Sequence, residues 1–196
     1  MSKMLLIATN NPGKFHELSS RISKFLPTTS LKEVGITDDV EEIGLTFEEN
    51  AGIKARFFAE RAHMMTLADD SGLCIDALHG APGIYSKRFA GENATDEQRI
   101  AKALELMKDI PEGKRTASFV AALAVAHLDG TIHYYRGTLD GFISREQKGK
   151  LIPGLPYKTI FFLPEYGKTL AELDEENISY VCLRDKAIEK LLADLK

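Results

Sequence analysis

The sequence predicts an α/β protein, a mixed sheet flanked by helices, in one domain over residues 1–196. Three observations carry this. A short apolar run ends in a polar turn and then in apolar residues at helical spacing. Two capping-box patterns open further helices. A long strand-like stretch around a tight-turn signal then breaks any regular βαβ alternation, which is why the sheet is expected to be mixed.

Taken in order, Met4–Thr9 reads as a short buried strand and Asn10–Gly13 as a turn. Phe15, Leu18, Ile22 and Phe25 then recur at the spacing of one helix face. Thr46-Phe-Glu-Glu49 is a capping-box pattern opening a helix to about His63. Met64–Ala68 is a strand that runs into Asp69-Asp70-Ser71-Gly72, and Thr95-Asp-Glu-Gln98 caps a helix with Ile100, Ala103, Leu104 and Met107 on one face. From Arg115 to Ile143 the pattern is strand-like, with Asp129-Gly130 as the hairpin turn. Phe161–Phe162 belongs to a further strand, and Ala187, Ile188, Leu191, Leu192 and Leu195 mark a closing amphipathic helix.

The totals exclude several classes. With 44% hydrophobic and 28% charged residues the composition is that of a soluble globular protein, and the net charge of -4 speaks against binding to nucleic-acid polymers. The apolar run Met4–Ala8 is too short for a signal peptide, and no stretch approaches a membrane span, so a cytoplasmic protein without membrane contact is expected. Cys74 and Cys182 lie far apart without CxxC spacing and read as buried free thiols. His16, His63, His79, His127 and His133 show no ligand spacing.

Four stretches could carry chemistry. Thr9–Lys14, "TNNPGK", sits where a strand leads into a helix. Free backbone N–H groups and the helix dipole converge there, and Thr9, Asn10, Asn11 and Lys14 would add donors suited to a phosphate. A helix-start turn explains the same residues. Asp69 and Asp70 after an apolar strand could share a divalent cation or divide metal binding from activation of water, or form an acidic turn. In Glu41–Ala55, Asn50 and Lys54 share a helix face and Glu42 lies on a loop able to reach a cation, whereas a solvated charged helix is the plain reading. Gly80–Gly91 offers Ser86, Lys87 and Arg88 on a Gly-Pro-Gly loop, by default a surface loop.

In succession, "ATNNPGKFHE", "GLTFEENAGIKA", "ADDSGL", "GAPGIYSKRFAG" and "FFLPEYGKTLAEL" resemble the inosine triphosphate pyrophosphatase family, also called Ham1-like, over nearly the whole chain. The resemblance implies an elongated, two-lobed mixed α/β fold with a cleft between the lobes, in a homodimer. It implies Mg2+-dependent hydrolysis of a nucleoside triphosphate to the monophosphate and pyrophosphate, with ITP, dITP and XTP as the family's substrates. Carried over by position, Thr9, Asn11, Lys14, Lys54 and Ser71 would hold phosphates, with Asn10 standing where a glycine is common. Glu42, Asp69 and Asp70 would hold the metal, and Asp70 would be the general base.

One block departs from the family. Gly154-Leu155-Pro156-Tyr157-Lys158-Thr159 stands where GFGYDP is expected, so Leu155 replaces a base-stacking phenylalanine and Lys158 an acid that reads the base. Further on, Ile178, Cys182 and Leu183 replace a lysine, a serine and a histidine, and Arg184 alone agrees. Substitutions confined to the base pocket predict an active pyrophosphatase of altered base selectivity. Loss of stacking alone is worth about 1–3 kcal/mol if nucleic-acid values transfer. A buried lysine needs a counter-charge, so Lys158 should meet a ligand or an acid, or else swing into solvent. A non-hydrolytic nucleotide-binding paralogue and a pyrophosphatase for pyrimidine nucleotides, as in the related Maf-like enzymes, are the competing readings.

Overall fold

The structure, a computed structural model, describes residues 4–176 and 184–194. The expectations at Ile178, Cys182, Leu183 and Leu195 lie outside the described residues. Among the described residues, seven strands form one sheet in the order β2-β1-β3-β4-β5-β6-β7, and five α-helices accompany them. β1 (Leu5–Ile7) runs parallel to both β2 (Thr28–Ser30) and β3 (Thr66–Ile75). β4 (Thr116–Ala126) follows, then β5 (Ile132–Ile143), with β6 (Phe161–Leu163) antiparallel to β5 and to β7 (Lys168–Thr169). The mixed sheet expected from the sequence is therefore present.

The chain divides into two compact units, the first from residues up to 70, 121–137 and from 184 on, the second from 71–120 and 138–183. In the first, Leu5, Ile7, Leu67, Leu123, Val125 and Tyr135 from the strands are buried with Leu18 and Ile22 of α1 (Pro12–Ile22). Ala187, Ile188 and Leu191 of α5 (Asp185–Asp194) join the same cluster. The apolar stripes read from the sequence are the ones that meet. Phe25 is not among them: α1 ends at Ile22, and Phe25 is 62% exposed in the turn that follows. α2 (Phe47–Ala62) starts at the Thr46 cap, whose hydroxyl accepts from Glu49 N, and ends on His63 in the left-handed region.

In the second unit, α3 (Asp96–Leu106) has the complete Thr95–Gln98 capping box. Phe119 and Phe161 stack at 4.6 Å between ring centroids. A buried guanidinium fastens the loops: Arg115 donates to the carbonyls of Ile143 (2.7 Å), Ser144 (2.8 Å), Ile110 and Met107. Back in the first unit, the predicted hairpin turns at Gly130, whose φ of 89° is the left-handed conformation glycine adopts without a steric penalty. Asp129 Oδ1 accepts from Thr131 N and Oγ1 there.

Two sequence expectations change. β3 does not stop at Ala68 but runs through Asp69, Asp70 and Ser71 to Ile75, so the acids stand inside a strand and not in a turn. β2, β7 and α4 (Leu170–Glu175) are additions to the elements read from the sequence: β2 and β7 are short and polar, and α4 has only six residues behind its Thr169–Glu172 capping box.

Candidate active site

The site grows from three backbone devices of the first unit. At the end of β1, Asn11 caps α1, its Oδ1 accepting from Gly13 N (2.9 Å) and Lys14 N (3.2 Å). Thr9 Oγ1 accepts from Asn11 N at 3.1 Å. The cap fixes Lys14 on the first turn of α1, where it leans onto β3: its Nζ lies 2.8 Å from Asp69 Oδ1. Asn10 is exposed beside it.

β3 supplies the second device. Successive strand residues point to opposite sides of the pleat, so Asp69 and Asp70 enter different surroundings. Asp69, fully enclosed, faces two cations, Lys14 and Arg184, with Arg184 Nε at 2.9 Å. Arg184 is itself enclosed, and its other arm donates to Glu17 of α1. Asp70 faces α2: Asn50 Nδ2 donates to its Oδ2 at 3.2 Å and Lys54 Nζ stands 3.6 Å from its Oδ1.

The loop into α2 is the third. Glu42 reaches Lys54 Nζ at 2.5 Å, so Glu42 and Asp70 converge on one ammonium. Lys54 therefore has close acidic partners, and the solvated-helix reading of its face is overturned.

These neighbours set the charges. Burial would raise the pKa of Asp69, yet the attraction of Arg184, then Lys14 and Lys54, outweighs it and holds the carboxyl well below the usual range. For Asp70 burial prevails: its pKa is raised although Lys54 and Lys14 oppose the shift, with Glu42 and Asp69 adding to it. Lys54, penalised by burial, still titrates above its ordinary value because Asp70, Glu42 and Asp69 attract its charge. Adjacent carboxyls with opposite shifts are the arrangement in which one can take a proton while the other stays ionised.

Lys14, Lys54, Glu42, Asp69, Asp70 and Arg184 are thus brought together, with Ser71 next along β3. Glu17 and Asn50 complete the network. In the sequence Asn50 is marked only by sharing a face with Lys54, and Glu17 only by its position three residues after Lys14. Among the described residues no group of three or more His, Cys, Asp or Glu is gathered as a metal cage. His127 and His133 do meet edge-to-face, with ring centroids 5.2 Å apart. The Cys74 side chain is half-buried, less enclosed than the reading of it as a buried thiol.

The remaining candidates lie in the second unit. Ser86 is buried, its Oγ accepting from Leu73 N and donating to Gly83 O, so it is spent on backbone. Lys87 is exposed, and Arg88 stacks over Tyr85 at 4.9 Å. Leu155 precedes a 3-10 turn over Pro156–Thr159. Tyr157 is buried there and donates to Ser86 O at 3.0 Å. Lys158 does not swing into solvent. Its side chain is 5% exposed and its ammonium meets Asp174 at 2.9 Å.

The comparisons agree with this architecture. The model of the Ham1 family matches residues 5–194, and the chain belongs to that family. The dITP/XTP pyrophosphatases of Photorhabdus laumondii and Escherichia coli are each 45% identical to it over 199 residues, covering 100% of this chain and 99% of each relative. A HAM1 protein from Coxiella burnetii superposes with a TM-score of 0.85 at 37% identity, covering 98% of both chains. A structure from Mycobacterium abscessus described as a nucleoside-triphosphatase and dITP/XTP pyrophosphatase gives 0.74 at 35% identity, covering 96% of this chain and 98% of its own.

Proposed function

We propose that this protein hydrolyses nucleoside triphosphates, ribo or deoxy, to the monophosphate and pyrophosphate. The observation that carries the reading is the pair Asp69–Asp70, adjacent on β3 yet held in opposite electrostatic states between two lysines. A triphosphate brings about four negative charges, and Lys14 and Lys54 are the half-buried ammoniums able to meet them beside the capped start of α1. Asp70, with its affinity for a proton raised by burial, takes one from the attacking water as the water oxygen bonds to the α-phosphorus and the bond from that phosphorus to the α,β-bridging oxygen breaks. Pyrophosphate leaves with the bridging oxygen. Asp69 and Arg184, each committed to the other, act as the frame that aims Lys14.

The donor chemistry fits magnesium. Glu42 and Asp70 offer hard oxygens converging on one cationic position, and Mg2+ is commonly held by one or two carboxylates together with substrate phosphates. Asp69, whose two oxygens face Lys14 and Arg184, is the third carboxylate of the proposed set, beside Glu42 and Asp70. When bound, the ion neutralises phosphate charge.

Base selectivity is proposed to differ from ITP and XTP alone. Asp174 engages Lys158, so the position that would offer an acceptor to a base offers a neutralised ion pair. The experiment is a panel of Mg2+-supplied purine and pyrimidine (d)NTPs, with pyrophosphate release as readout. Release from several bases supports the reading, ITP and XTP alone would remove Lys158 from it, and binding without release from any base would favour the non-hydrolytic alternative. A cytoplasmic homodimer accompanies the proposal. Among the described residues no helix is long and apolar enough to cross a membrane.

A further inference from the structure

We infer that Asn50 is a positioning residue of this site, the one carboxamide that fastens the base carboxylate Asp70 and the loop carrying Glu42 to the same turn of α2. The inference rests on the function proposed above. Asn50 is completely enclosed. Its Oδ1 accepts from the backbone N–H of Gly44 at 2.8 Å, and its Nδ2 donates to Asp70 Oδ2 at 3.2 Å. The orientation of the amide is determined by these partners. An N–H from Gly44 can be met only by oxygen, which turns the NH2 toward the carboxylate.

Only an amide does both. A carboxylate at residue 50 would keep the Gly44 bond and set a second acid against Asp70. An apolar side chain of equal volume would leave a buried N–H and a buried carboxylate oxygen each without this partner. The loop side of the clamp is equally tight. A Cβ on Gly44 would lie 2.7 Å from both Asn50 Oδ1 and Glu49 Cβ and 3.0 Å from Asn50 N, so any side chain there pushes the loop off α2. Glu42 stands two residues before Gly44, and its contact with Lys54 depends on where that loop lies. Glu49 also ties the loop, accepting from Leu45 N at 2.6 Å, but it is exposed and makes no contact with Asp70 among those described.

Asn50→Asp and Gly44→Ala separate the two halves. The readouts are Mn2+ affinity without nucleotide by electron paramagnetic resonance, kcat and KM on the best panel substrate, and Tm of the metal-free protein. Groups behind metal and catalytic residues change affinity or rate about 10- to 100-fold when replaced. Gly44→Ala should weaken Mn2+ binding by about tenfold, and Asn50→Asp should lower kcat by about tenfold or more without weakening Mn2+ binding or raising KM comparably. Either variant folded but with Mn2+ affinity and kcat at wild-type values overturns the inference, as does a loss of kcat that only follows the unfolded fraction. Should neither variant fold, the wild-type protein decides. On Mg2+ addition the Asn50 side-chain amide and the Gly44 backbone amide should shift together in 15N spectra, and unmoved resonances contradict the clamp. Absence of hydrolysis by the wild-type protein would defeat the proposed function, leaving the Mn2+ and NMR readouts to judge the clamp separately.

Discussion

At the scale of single residues, the two adjacent acids of β3 should respond oppositely to loss of charge. The folded pKa of Asp70 is raised, so its contribution to stability is present only below the ordinary 3.8 and is lost as pH rises through the folded value. At neutral pH ionised Asp70 is therefore a strain, and Asp70→Asn should raise the metal-free Tm while lowering kcat by about a hundred- to ten-thousand-fold. The folded pKa of Asp69 is depressed, so its contribution is complete above 3.8 and disappears only as pH falls through the lower folded value. Asp69→Asn should lower Tm at neutral pH and flatten the acid side of the stability profile. Calorimetry of both variants checks the pair, and equal shifts of Tm would contradict the assignment. Lys158 gives another contrast. Asp174→Asn leaves an enclosed ammonium beside a neutral amide and should cost about 2 kcal/mol, less than a fully enclosed pair because Asp174 is a quarter exposed. Lys158→Met removes the ion that burial penalises and should cost less, with urea midpoints deciding the order. The acids and lysines of the site were legible because each sits at an element start or in a recognisable run. Their supporting partners were not, since Glu17 meets a residue 167 positions away and Asn50 one 20 away.

At the scale of elements, helix starts were the most legible feature, because Asn11, Thr46 and Thr95 carry their instruction within three residues. Strand extents were less so. Asp69 and Asp70 look like a turn by composition, and their ion pairs, with the Asn50 amide on Asp70, are what the ten-residue strand offers them where they are enclosed. β2 was missed because Thr-Thr-Ser has no apolar alternation, its pairing to β1 being set by backbone. Gly141 on β5 tests how closely elements meet. A Cβ there would fall 2.7 Å from the Phe161 ring and from Phe162 O, so Gly141→Ala should destabilise by about 1–3 kcal/mol. Guanidinium-induced unfolding with an unchanged slope would show it. An unaffected midpoint would mean that β6 yields at no cost.

At the scale of the whole molecule, the mixed α/β class was readable because local signals for helix and strand agreed but did not alternate. A division into two parts came only with the family resemblance and not from composition, since β3, β4 and β5 each pass from one unit to the other without a linker, leaving no change of composition to see. The proposed phosphate and metal groups Glu42, Lys14, Lys54, Asp69 and Asp70 belong to the first unit, and Ser71 belongs to the second with Leu155, Tyr157 and Lys158. On the proposed function, substitutions at Lys158 should alter relative rates among bases more than the reaction itself. The most direct test of the central claim is product identity by 31P NMR during turnover of a Mg2+-supplied nucleoside triphosphate. Hydrolysis at the α-phosphorus gives pyrophosphate and nucleoside monophosphate in equal amounts, which is the expected spectrum. Inorganic phosphate with nucleoside diphosphate, or no cleavage of any base in the panel, would contradict it.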